Sequence, residues 1–210
     1  MRIGYSRETA DQGETATLLS VYSSAGYDGL ELRPGQYEPW LADADAFRRQ
    51  YGDAAGVATA VLVRAPLDGA GIARLRQAMR FVQALNGDRV VYVAQVGREE
   101  LTPIDMRTMA RRLGELGREA CDHGLALSLQ NHIGYATMYR KDLETIFESV
   151  NDETLWWTVD LAHLYMAGEF DVADVFREFR FVVDNVHLND CQAGTMCPLG
   201  HGEVPLAPVL

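Results

Sequence analysis

Seven short and almost unbroken apolar runs, each separated from the next by a longer amphipathic or polar stretch, constrain this chain more than any other feature. The runs are Arg2 to Tyr5, Gly29 to Arg33, Val57 to Val63, Arg89 to Val96, Leu125 to Gln130, Leu155 to Val159 and Val182 to Leu188. They do not alternate apolar with polar residues, which is how strands covered on both faces read. Between them, Glu14 to Ala25, Pro39 to Tyr51, Gly71 to Leu85, Thr102 to Gly124, Arg140 to Val150 and Asp171 to Phe179 read as helices. Ile72, Leu75, Met79, Val82 and Leu85 mark one helical face. Thr102-Pro103-Ile104-Asp105 carries a capping signature. Pro34-Gly35 is expected to stop the second strand.

Tandem βα units imply a parallel sheet with right-handed crossovers. Two architectures satisfy that pattern, an open doubly wound sheet and a closed barrel. No G-x-G-x-x-G turn follows the first strand, which weakens the dinucleotide-binding version of the open sheet. The 210 residues, 48% of them hydrophobic, suffice for one sizeable core, so residues 1–210 are expected to form a single domain. A closed barrel needs eight strands and about 250 residues. Seven strands are visible here, so the expected barrel is incomplete at its C-terminal end. Such a barrel would expose the edges of its first and last strands, which predicts a homo-oligomer.

The formal net charge of −11 disfavours nucleic acid and anionic membrane as partners, because their phosphates would be repelled. Cys121, Cys191 and Cys197 are too few for a disulfide framework. Cys191 and Cys197 lack the second Cys/His pair of a zinc site. The N-terminus has no signal-like apolar core, and no apolar run approaches the ~18 residues of a membrane span. A cytoplasmic enzyme acting on a small molecule is the expectation.

In a parallel barrel, chemistry sits at the carboxyl ends of the strands. Gln130-Asn131-His132 ends the fifth run, Asp160-Leu161-Ala162-His163 the sixth, and His187-Leu188-Asn189-Asp190 the seventh. Imidazole with carboxylate suits Zn, Mn, Fe or Co. A cation beside sugar oxygens polarises a carbonyl and stabilises an enediolate, and acid–base groups then move a proton between adjacent carbons. Asp160 reads as a metal ligand or as half of a structural ion pair, and His187 as a ligand or a hydrogen-bonded core histidine. His163, His132 and His201 read as site groups or loop histidines. Glu31 faces the barrel interior or its outer wall by alternation alone. His123 sits at a helix end, where a cation suits the dipole.

These residues resemble a known family. Gly26-Tyr27-Asp28-Gly29-Leu30-Glu31-Leu32 is similar to the second-strand signature of the sugar phosphate isomerase/epimerase superfamily, the xylose isomerase-like TIM barrels. Thr158 to His163, followed by Ala167-Gly168-Glu169, is similar to the sixth-strand D-x-x-H and A-G turn. Asn185 to Asp190, followed by Pro198-Leu199-Gly200-His201-Gly202-Glu203-Val204, is similar to the seventh-strand H-x-K-D and P-L-G-x-G motif. The resemblance implies a (β/α)8 TIM barrel and a divalent-metal-dependent isomerase or epimerase of a small sugar, keto-sugar or sugar phosphate. It implies Asp160 and His187 as metal ligands and His163 as a substrate contact, with the metal being Mn, Co, Mg, Fe or Zn. The strand-five Glu of the family is Gln130 here, an oxygen donor that cannot accept a proton at neutral pH. The strand-eight Glu position lies beyond Leu210. His132, with Glu31 second, is therefore the expected base, and Asn131 and Asp190 are expected beside the substrate. The alternatives are a catalytically impaired or partial barrel and a related dehydratase or lyase. A type IV apurinic endonuclease is disfavoured by the acidic charge and by Gln130.

Overall fold

The computed structural model describes residues 2–52, 60–150 and 153–209. Seven strands alternate with helices, in the order β1 (Gly4–Tyr5), α1 (Gln12–Val21), β2 (Gly29–Leu32), α2 (Pro34–Tyr37), α3 (Ala44–Tyr51), β3 (Ala60–Ala65), α4 (Gly69–Ala84), β4 (Arg89–Ala94), α5 (Pro103–Asp122), β5 (Ala126–Gln130), α6 (Arg140–Ser149), β6 (Leu155–Asp160), α7 (Leu161–Met166), α8 (Val172–Glu178) and β7 (Val183–His187). A hairpin of β8 (Asp190–Gln192) and β9 (Thr195–Cys197) follows. Hydrogen-bonded neighbours follow chain order from β1 to β7, the repeat of an incomplete (β/α)8 barrel.

The chain divides into two compact units. One holds residues 1–92 and 119–127, the other 93–118 and 128–210. In the first, β1, β2 and β3 are parallel, with Tyr5 beside Leu30 and Leu32 beside Val61. Its core is apolar, and includes Leu30, Leu32, Phe47, Leu62, Leu75 and Met79, all fully buried. In the second, Trp157 and Val159 of β6 pack with Leu161 and Leu164 of α7, Val172 and Val175 of α8, and Phe179. The Trp157 and Phe179 rings meet edge to face at 5.6 Å.

Aspartates open five of the helices. Asp11, Asp43, Asp68, Asp160 and Asp171 each accept a hydrogen bond from the backbone N–H three residues on, which satisfies an orphan donor of the first turn. Part of the chain's acidity thus serves local structure. Thr102 and Asp105 form the expected reciprocal cap of α5.

Several boundaries differ from the sequence expectation. The helix expected over Pro39 to Tyr51 is instead a 3-10 turn (Glu38–Trp40) followed by the separate α3, because Pro39 lies in the turn and Asp43 caps a fresh helix. Pro34-Gly35 stops the second strand by starting α2, with Pro34 at its first position. Residues 57–59 of the expected third strand lie outside the described residues. α7 and the β8–β9 hairpin were not expected at all. Among the described residues, no helix is long and apolar enough to cross a membrane.

Candidate active site

The second unit gathers the polar strand ends. Asp160 is the last residue of β6 and the cap of α7, so one carboxylate serves two elements. β6 and β7 run parallel, and Asp160 stands opposite His187. That pairing depends on a register shift. Trp157 pairs with Val183 but Thr158 pairs with Asn185, leaving Asp184 as the extra residue. A one-residue slip exchanges the two faces of a strand. Without the shift, Val186 would stand opposite Asp160, and His187 would turn to the other face.

Asp160 is nine-tenths or more buried and densely hydrogen-bonded. Its Oδ1 accepts from the His163 N–H at 3.0 Å and from Asn189 Nδ2 at 2.9 Å. Its Oδ2 accepts from Gln130 Nε2 at 2.9 Å and from Asn189 Nδ2 at 2.9 Å. His187 Nδ1 lies 3.5 Å from Oδ2. Burial opposes ionisation of Asp160, but the imidazoles of His187 and His163 and the His163 N–H outweigh it and hold the carboxyl below the ordinary carboxylate range.

Gln130 completes the cluster from β5. Its amide orientation follows from the carboxylate opposite, which needs a donor. The consequence is that Gln130 Oε1 is buried with no hydrogen-bond partner among the described residues. An orphaned oxygen beside a carboxylate and an imidazole fits a divalent cation as a three-donor set. Among the described residues no three His, Cys, Asp or Glu side chains form such a cluster; the third donor here is an amide.

His132 follows two residues after Gln130. Its turn is closed by the His132 N–H donating to Thr137 O at 2.8 Å and Thr137 Oγ1 donating to Gln130 O at 3.0 Å. The His132 ring lies 3.8 Å from the His163 ring, centroid to centroid. His132 Nδ1 is 2.8 Å from Ile133 O. A carbonyl only accepts, so the neutral ring carries its proton on Nδ1 and has its lone pair at Nε2.

The remaining expected residues are placed differently. Asn131 is fully buried, and its amide is engaged on β6: Nδ2 donates to Asp160 O, while Oδ1 accepts from the Asp160 N–H and Trp157 Nε1. The Asp190 carboxylate accepts from four backbone N–H groups, those of Cys191, Gly200, Gly202 and Val204. Burial raises its pKa, but these four donors outweigh that and hold it low. Gly202 allows the approach, since a Cβ there would lie 2.2 Å from Asp190 Oδ1. His201 is exposed on the same loop. Glu31 belongs to the first unit, where it accepts from Ser6 Oγ at 3.2 Å. Cys191 and Cys197 are free thiols. Cys191 pairs with Met196 and Cys197 with Asp190, so alternation turns the two sulfurs to opposite faces.

Sequence reasoning missed Asn189, whose side chain grips Asp160, and Asp184, whose carboxylate accepts from Ser128 Oγ at 2.6 Å. Asn189 lies inside the strand-seven motif, where the family pattern has a lysine, and that departure was the signal for it.

Residues 19–210 match a family model described as xylose isomerase-like TIM barrel. An inosose dehydratase of Clostridium beijerinckii is 23% identical over 124 residues, 52% of this chain and 41% of that protein. The chain thus spans about two fifths of the length of the curated relative it matches. The structure of an L-ribulose 3-epimerase is similar with a TM-score of 0.77 at 20% identity, over 99% of this chain and 75% of that one. The structure of an IOLI protein with a bound zinc atom is similar with a TM-score of 0.77 at 16% identity, over 100% of this chain and 83% of that one. At such identities these structures speak for the fold.

Proposed function

The chain belongs to the xylose isomerase-like TIM barrels, and from that membership and its site geometry we propose that it serves the isomerisation or epimerisation of a small sugar, keto-sugar or sugar phosphate with a divalent cation. One observation carries the reading: Asp160, His187 and Gln130 meet at adjacent strand ends, and Gln130 Oε1 is buried without a partner. A cation bound there would polarise the substrate carbonyl and acidify the neighbouring C–H.

The chain's own groups supply the rest. His132 takes the proton at Nε2 and returns it, with Nδ1–H held on Ile133 O. His163, whose ring lies 3.8 Å from that of His132, lines the substrate position beside it. Asn131 holds the backbone of Asp160, and Asp190 holds the loop that carries His201, so both act by positioning.

Two other outcomes have support of their own. A dehydratase uses the same proton removal and then expels a β-hydroxyl, and the curated relative is named as one. A catalytically impaired barrel is favoured by Gln130, an amide where the family has an acid–base Glu.

Calorimetric titration of Mn, Co or Zn into the protein and into Asp160→Ala tests the cation site. Binding by the first and its loss in the second is expected; equal binding by both rules the reading out. Incubation with a panel of ketoses in D2O then tests the chemistry. Deuterium should enter the carbon next to the carbonyl, and His132→Ala should abolish it.

A further inference from the structure

A carboxylate offers about four lone-pair positions. At Asp160 three donor groups occupy most of them before any cation arrives, one of them shared between the two oxygens. Oδ1 takes the His163 N–H and Asn189, and Oδ2 takes Gln130 and Asn189. A cation reaching this carboxylate therefore has to displace or share with a donor.

The donors differ in how firmly they are held. The His163 N–H belongs to the main chain of α7's first turn. Gln130 stands on β5 and is 2% exposed. Asn189 lies between β7 and β8 on a partly exposed segment, and it alone spans both carboxylate oxygens. Its own carbonyl oxygen accepts from the Ala162 N–H at 2.9 Å. It closes over Asp160 like a clasp anchored on α7.

We propose that Asn189 sets the cation affinity of the site by competing with the metal for Asp160. A neutral amide satisfies the buried carboxylate without adding charge. Removing it leaves lone pairs desolvated and unanswered in the cation-free protein. The loaded protein loses less, because the cation answers the same lone pairs. The cation-free state rises in free energy more than the loaded state, so binding tightens as resting stability falls. The proposal rests on the reading of Asp160 and His187 as cation ligands.

The test compares the protein with Asn189→Leu, which keeps bulk and removes the amide, and with Asn189→Asp, which keeps an acceptor for Ala162. Co2+ affinity is measured by calorimetry, and melting is followed with and without Co2+. Asn189→Leu should melt at lower temperature when metal-free, bind Co2+ about tenfold more tightly, and gain more from Co2+ on melting than the parent protein does. Asn189→Asp, with two carboxylates side by side, should bind more tightly still. If Asp160→Ala abolishes binding while Asn189→Leu leaves it unchanged or weaker, the clasp is overturned and the site reading stands. Tighter binding by Asn189→Asp alone would also overturn it, since added charge would then explain the gain. Equal binding by Asp160→Ala and the parent would remove the site and the clasp together.

Discussion

In β3 the buried side chains are Ala60, Val61, Leu62, Val63 and Ala65, whereas β5 and β6 bury Ser128, Gln130, Thr158 and Asp160 among their apolar residues. The buried polar atoms of the first unit include phenols that answer backbone carbonyls: Tyr37 donates to Leu62 O at 3.0 Å and Tyr92 to Ala65 O at 2.8 Å. Burial pushes both phenol pKa values up, so these groups stay neutral. The first unit also buries Glu31, but in the second unit Asp142, Asp160 and Asp190 are all buried carboxylates, and a network has to be built around each. Ser128, Thr158 and Asp184 form another such network along β5, β6 and β7. The difference teaches where stability comes from and where it is given up. Apolar strands gain by exclusion of water. Polar strands break even when every donor and acceptor is answered, and an oxygen left open there points to a ligand.

The sharpest way to break this contrast is Leu62→Ala. A cavity in β3 should cost about 3 kcal/mol of unfolding free energy, read from urea melts, with Co2+ affinity unchanged. A parallel loss of Co2+ binding would contradict the division of labour. Gln130→Glu should come next. It sets a second carboxylate against Asp160, lowers metal-free stability at neutral pH by about 2 kcal/mol, and tightens Co2+ binding. If stability does not fall, Gln130 is not in contact with an ionised Asp160. Ser128→Ala should cost about 1 kcal/mol, since Thr158 and Asp184 lose a shared partner, and should leave Co2+ binding intact.

The smallest effect concerns pH. Asp190 has a folded pKa below its unfolded value. Its contribution is therefore complete above the unfolded carboxylate pKa of about 4 and is lost as pH falls through the folded value. Urea midpoints should drop on acidification below that range, and the drop should shrink in Asp190→Asn. Identical pH profiles would show that the four backbone donors do not stabilise the charge.

Much of the fold was legible because its signals are local. Unbroken apolar runs marked the strands, and Thr102 with Asp105 marked the start of α5. The boundaries around Pro39 were less so, because Asp43 restarts a helix that the apolar spacing carries straight through. α7 was hidden because Asp160 ends β6 and caps the next helix with no intervening loop to separate the two elements. The hairpin turns at Ala193-Gly194, both at positive φ, and it was hidden because Ala-Gly is not among the Asn-Gly-like pairs that mark a two-residue turn. In the site, residue types at strand ends brought Asp160, His187 and Gln130 into view. Asp184 and Asn189 stayed out of view, because an extra residue in a ladder and the reach of a loop amide have no periodic signature.

Sequence by itself determined the βα repeat, the acidic helix caps, the family and the polar character of the late strand ends, since each acts over a few neighbouring residues. Tertiary structure alone decided that His187 faces Asp160, that Gln130 turns its nitrogen to the carboxylate and leaves its oxygen open, and that Asn189 closes over both carboxylate oxygens. Those outcomes depend on register between strands and on which donors win a shared acceptor, and both are settled only when distant segments pack.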